Sequence, residues 1–179
     1  KSFIDYLVKT IKDENLSASS KCEIINIFAR ACGPKGMVEG QNLDIQAEGK
    51  KLSEKDLDKL HYLKTGKLIE ACVLSVCNLK KGIKPDEVKK LIIFAKKFGL
   101  AFQIRDDILD VIGKEKEIGK PVGSDQIKNK STYASTLGIE KSQNKADNLS
   151  KEAVKILSSL PYDTEKLENL CHLIVQRQS

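Results

Sequence analysis

Three aspartates crowd the end of one apolar stretch. In FGLAFQIRDDILDVIG, Phe98 to Gly113, the residues Asp106, Asp107 and Asp110 fall within five positions. On a helix, Asp106 and Asp110 share a face and stand ~6 Å apart along the axis. Asp107 points about 100° away from Asp106. Like charges at a spacing of four cost a helix roughly a few tenths of a kcal/mol. Their place toward the negative end of the helix adds to that cost. A sequence tolerates it at a solvated helix end, or where a cation resolves the repulsion. The flanks here are apolar (Leu100, Ile104, Ile108, Leu109, Val111), and Phe102 and Gln103 stand one turn before the cluster. The pair therefore reads as two carboxylates at the rim of an apolar groove. That setting suits a hard cation such as Mg²⁺, which takes one or two carboxylates and fills its shell with water and phosphate oxygens.

A second place asks for an explanation. Gly66 falls in the middle of a helical pattern, just after Lys64 and Thr65. A glycine there costs ~1 kcal/mol against alanine. A local kink that presents backbone and the Thr65 hydroxyl to a ligand accounts for it, and so does close helix packing at Gly66. Elsewhere the chemistry-bearing residues are less telling. His61 and His172 are not spaced as partners on a metal, and His61 reads as a packing or capping residue. Five cysteines form no CxxC pair, which points to reduced, mostly buried cytosolic thiols rather than a zinc site.

The elements that must position these residues are helices. Apolar spacings of three and four predict a first helix over 3–12 and a second from Ser17 or Ser19 to Gly33-Pro34. A third covers about 35–48, interrupted by Gly36 and Gly40. Ser53, with Asp56 three residues on, predicts a capping box that opens a fourth helix. That helix runs to about Leu79 and is stopped by Gly82. Pro85 followed by Asp86 and Glu87 marks the start of a fifth, which carries the aspartates and ends near Gly113. A polar loop follows from Gly113 to Lys130, then a short helix around 132–138 and another over about 140–159. Pro161 breaks the chain before a last helix ending near Gln176. No strand longer than a few residues is evident. The expectation is a single all-α domain over 1–179.

Composition narrows the function. The net charge of +6 comes from 31 basic and 25 acidic residues. The lysines alternate with acids and form no basic block with interleaved aromatics, which argues against nucleic-acid binding. No apolar run approaches the ~20 residues of a membrane span, so stable membrane insertion is not expected. The chain starts at Lys1 without Met, inside an amphipathic pattern, which predicts a cut into a longer protein.

The blocks also resemble a known family. GLAFQIRDDILD is similar to the second aspartate-rich motif of the trans-isoprenyl diphosphate synthases, the polyprenyl synthetase family, with Gly99, Phe102, Gln103, Asp106, Asp107 and Asp110 on its pattern. GMVEGQNLD (Gly36 to Asp44) resembles the family's GMxxGQxxD, and HYLKTGKLI (His61 to Ile69) its HxxKTGxLI. GKPVGSDQIKNKSTYASTLG (Gly119 to Gly138) resembles the segment that follows the aspartates, and LIVQRQS the tails of short-chain bacterial members. Within the family the blocks resemble the bacterial farnesyl diphosphate synthases in particular. The family's first DDxxD motif and its upstream basic residues do not occur in the sequence, so the resemblance is to a C-terminal portion.

The resemblance implies an isoprenoid synthase-type helical bundle, cytoplasmic and homodimeric, that uses Mg²⁺ to join an allylic diphosphate to isopentenyl diphosphate, with the 179 residues alone expected to be inactive. It implies a metal site at Asp106, Asp107 and Asp110, with Asp106 the best ligand, Asp110 next on the same face, and Asp107 more apt to orient water or a partner lysine. Lys64 and Lys120 become cationic contacts to the allylic diphosphate, and Thr65 and Gln103 are placed at the reacting end. Gln103 could stabilise a carbocation by its dipole, or simply make a buried hydrogen bond. Phe102 could wall the prenyl site or belong to the core. Gln41 and Asp44 lie on a helix expected to face the same cavity, with packing an equal explanation. Asp125 and Lys130 match positions lining the diphosphate end, and Gly119, Pro121 and Gly123 shape a lid. Two other readings stand beside the enzyme: a non-catalytic helical subunit of a heteromeric synthase, and a terpene cyclase. The cyclase reading leaves Lys64-Thr65-Gly66 and the 119–130 block unexplained.

Overall fold

The computed structural model describes residues 3–112 and 130–176, and all its regular elements are helical. In chain order they are α1 (Phe3–Lys12), α2 (Ala18–Cys32), α3 (Met37–Gln46), α4 (Glu54–His61), a π-helical turn (Tyr62–Gly66), α5 (Lys67–Leu79), α6 (Pro85–Ile112), α7 (Tyr133–Leu137), α8 (Ile139–Leu157) and α9 (Glu165–Gln176). The local signals act as expected at several ends. Ser17 accepts a hydrogen bond from the Ser20 N–H at the start of α2. Pro85, whose missing N–H would have no partner in a first turn, opens α6.

α6 is the axis of the bundle. Its 28 residues span about 42 Å. Phe94 and Ala95 pack with Ala153 and Leu157 of α8 and Cys171 of α9. Further along, Ile104 and Ile108 pack with Leu57 of α4, Tyr133 of α7 and Ala146 of α8. A third cluster joins Ile24, Phe28 and Ala31 of α2 to Ala71 of α5.

Three local expectations are corrected. The single helix expected from Ser53 to about Leu79, with a kink at Gly66 as one of two readings, is divided by the π turn into α4 and α5. The Ser53 hydroxyl does accept from the Asp56 N–H, but the Asp56 carboxylate turns back to that same hydroxyl and closes no box. A reciprocal box forms at Thr132 and Ser135 instead. Gly36 precedes α3 and Gly40 does not interrupt it.

Packing explains the π turn and Gly40 together. A Cβ on Gly40 would lie 2.3 Å from the Lys64 backbone nitrogen and 2.5 Å from its Cα. α3 thus crosses the π turn backbone to backbone, and only glycine allows that approach. Gly66 meets α6 in the same manner, since a Cβ on Gly99 would stand 3.3 Å from the Gly66 Cα. The backbone is therefore distorted at Gly66 and closely packed there as well.

Candidate functional site

The π turn sets the geometry of the site. Its extra residue sends Lys64 toward α3 and Thr65 toward α6. The Lys64 ammonium donates to Asp44 Oδ2 at 3.0 Å. The Thr65 hydroxyl donates to Gln103 Oε1 at 3.1 Å. Gln103 in turn points its amide nitrogen at Asp107 Oδ1, 3.4 Å away. Through the adjacent residues Lys64 and Thr65, two sets of polar contacts thus join the π turn to α3 on one side and to Asp107 of α6 on the other.

Lys130 enters from the far side of the 113–129 segment and donates to the same Asp44 oxygen at 2.6 Å. Two ammonium groups from distant parts of the chain therefore converge on one carboxylate, and all three side chains are partly buried. Burial alone would raise the Asp44 pKa. The hydrogen bonds and charges of Lys130 and Lys64 more than reverse that and hold the carboxyl below the usual range.

The three aspartates separate. Asp107 is buried, and both its oxygens accept within the protein, Oδ2 from the Tyr133 N–H at 2.9 Å and Oδ1 from Gln103. Its partners within the protein are a backbone N–H and the Gln103 amide. His61 is buried beside it, with Nε2 3.6 Å from Asp107 Oδ2 and the imidazole stacked on the Tyr133 ring at 5.4 Å. The Tyr133 hydroxyl donates to Asp58, which also binds Lys145. Asp107 thus pins α7 to α6. Asp106 is partly exposed, Asp110 is 1% exposed, and each has an interaction within the protein.

Among the described residues no three His, Cys, Asp or Glu side chains gather as a ligand set. Asp106 and Asp110, one turn apart, are all-oxygen donors. That donor type is the one a hard cation takes, drawing one or two carboxylates from the protein and the rest of its shell from water and substrate, with the partly exposed Asp106 the more accessible of the two.

The remaining expected residues are more dispersed. Phe102 lies on the flank of α6 facing α9, where it lines an apolar hollow of about 450 Å³ with Phe98, Leu170, Leu173 and Ile174. Gln41 is exposed on α3, one turn before Asp44. Lys120, Asp125 and the turn residues Gly119, Pro121 and Gly123 lie outside the described residues. Tyr133 was not foreseen as part of the site. Its signal was its place just beyond a polar loop, inside a block that resembles the family, but nothing local tied it to Asp107.

Comparison with known proteins adds the following. A family model described as "Polyprenyl synthetase" matches residues 4–174. The farnesyl diphosphate synthase of Geobacillus stearothermophilus is 40% identical over 171 residues, covering 96% of this chain and 57% of that one. The farnesyl diphosphate synthase of Escherichia coli is 39% identical over 166 residues, with 90% and 55% covered. Among solved structures, a geranyltransferase from Helicobacter pylori complexed with magnesium and isoprenyl diphosphate superposes with a TM-score of 0.78 at 32% identity, covering 97% of this chain and 56% of that chain. The chain spans little more than half the length of these relatives.

Proposed function

Because the chain belongs to the polyprenyl synthetase family, we propose that it forms the diphosphate-facing part of a short-chain prenyltransferase. The reaction is the joining of an allylic diphosphate, dimethylallyl or geranyl, to isopentenyl diphosphate, with farnesyl diphosphate as the product. Relatives named farnesyl diphosphate synthase support this reading. The observation that carries it is the set of polar contacts in which Lys64 and Lys130 converge on Asp44, while Thr65 and Gln103 lead to Asp107, the middle aspartate of the α6 motif.

On this reading the allylic C–O bond breaks heterolytically and leaves a carbocation and inorganic diphosphate. Lys64 and Lys130, with Lys120, face the departing oxygens as compact charges, each with three donors. Asp106 and Asp110 are the residues that would hold Mg²⁺. Bound there, the metal would supply Lewis-acid neutralisation of the leaving group. The Thr65 hydroxyl fixes the Gln103 amide, so the dipole beside the reacting carbon is held in one orientation. An amide is also too weak a base to quench a cation. Phe102 and the apolar hollow beside it suit a prenyl tail, and Gln41 and Asp125 belong to the diphosphate rim. Asp107 acts behind them, by fixing α7 against α6.

The protein is further proposed to work as a homodimer in the cytoplasm. No helix of the described residues is long and apolar enough to cross a membrane. These 179 residues alone are expected to turn over poorly, because the family's first acidic motif is not among them. The test is incorporation of labelled isopentenyl diphosphate into extractable prenyl product by the gene product, with geranyl diphosphate and Mg²⁺ supplied. Asp106→Asn and Lys64→Ala should each depress turnover at least about a hundredfold. Absence of any prenyl product in the unaltered protein would refute the assignment.

A further inference from the structure

Lys64 and Lys130 do not wait in open solvent for an anion. Both donate to Oδ2 of Asp44, at 3.0 and 2.6 Å. The helix that carries this carboxylate is itself held in place, because α3 is locked to the π turn where Gly40 meets the Lys64 backbone. An anion entering between these ammonium groups therefore finds a resident negative charge already seated on them.

From this arrangement we infer that Asp44 is a positioning residue that serves as the internal counter-anion of the diphosphate site. It holds the two lysines in place while the site is empty, competes with diphosphate for their N–H donors, and takes them back as the product leaves. The inference rests on the reading above that Lys64 and Lys130 face diphosphate. It gives Asp44 a role distinct from direct contact with substrate.

The physics fixes a sign. Each ammonium carries three donors, so the lysines can turn toward diphosphate without moving their helices. The Asp44 carboxylate stays tethered to α3 beside the site, and its repulsion toward the polyanion persists for as long as the anion is bound. Removing that charge should tighten binding of inorganic diphosphate by about tenfold at low salt, since like charges ~6 Å apart in a half-buried site repel by at least that factor. A residue that only braced α3, or that touched the ligand favourably, would weaken binding when altered.

The experiment is calorimetric titration of inorganic diphosphate with Mg²⁺ into the gene product used for turnover, together with its Asp44→Asn, Asp44→Ser and Asp44→Glu variants. Thermal melts run in parallel check that each one folds. Asn and Ser should both bind about tenfold tighter, Glu should return toward the parent, and the difference should shrink as salt is raised. Equal or weaker binding in the folded Asn and Ser variants would overturn the inference. Lys64→Met and Lys130→Met separate the two levels of the argument. If neither weakens diphosphate binding, the placement of the site is wrong. If they weaken it and the Asp44 variants do not tighten it, only the counter-anion role is lost.

Discussion

Gly40→Ala tests whether the contact between α3 and the π turn governs the site. The added Cβ would lie 2.3 Å from the Lys64 nitrogen, 2.5 Å from its Cα and 2.8 Å from the Leu63 carbonyl carbon. All three are backbone atoms, so no side-chain rotation relieves the clash. Reaching ordinary contact requires α3 to move off the turn by about 1 Å. Asp44 rides on the same helix one turn further on, and its bonds to Lys64 and Lys130 are 3.0 and 2.6 Å long. A shift of that size takes at least one of them out of hydrogen-bond range. Overpacking of this kind costs roughly 2 kcal/mol, which for a chain of this size lowers Tm by about 4–8 °C. Misplacement of a binding group by ~1 Å can cost about a hundredfold in turnover. The assay is a thermal melt alongside prenyl transfer. Gly49→Ala serves as the control, because Gly49 has φ +73° but nothing within 4 Å of its Cβ position. It should lose ~1 kcal/mol to backbone strain and keep full turnover. If Gly40→Ala matched the parent in both stability and turnover, the claim that this contact holds the site would be wrong.

Other expectations follow from the same geometry. Asp107→Ala removes the acceptor of the buried Tyr133 N–H and should cost about 1–3 kcal/mol, read from urea unfolding, with loosening of residues 130–137 in hydrogen exchange. Ile108→Ala, at a fully buried position, should cost about 2–5 kcal/mol by the same assay. Asp44 has its pKa lowered in the folded state despite its burial, through Lys130 and Lys64. Its contribution to stability is therefore present above the ordinary aspartate range and is lost as pH falls through its depressed value. Parent and Asp44→Asn melting curves should converge on acidification, and a gap that widened toward low pH would contradict this sign.

How much of this was legible in the sequence depends on the range of the forces involved. Helix ends follow from groups within four residues of one another. Ser17 and Pro85 accordingly mark the starts of α2 and α6 closely, and α8 ends before Pro161. The π turn was not legible in that way. Residues 53–79 read as one helix with at most a local kink at Gly66, and the π turn lies where Gly40 of α3 and Gly99 of α6 bring those helices against its backbone. Glycine in a helical pattern signalled that something approaches, but not which helix does so.

The site divides along the same line. The i, i+4 relation of Asp106 and Asp110 is helical arithmetic, and so in principle is the burial of Asp107. Asp107 stands three residues after Ile104 and beside Ile108, on the stripe that faces the core. A carboxylate on such a stripe has to find donors inside the protein, and the donor it finds, the Tyr133 N–H, is 26 residues away. The pairing of Lys130 with Asp44 spans 86 residues, and no local pattern encodes it. Motif resemblance could place each of these residues near a diphosphate, because all of them belong to recognisable blocks. It could not reveal that one acidic residue already occupies the two lysines. That occupation is a property of the folded arrangement alone, since it requires the rigid seat of α3 and the return of the chain at Lys130.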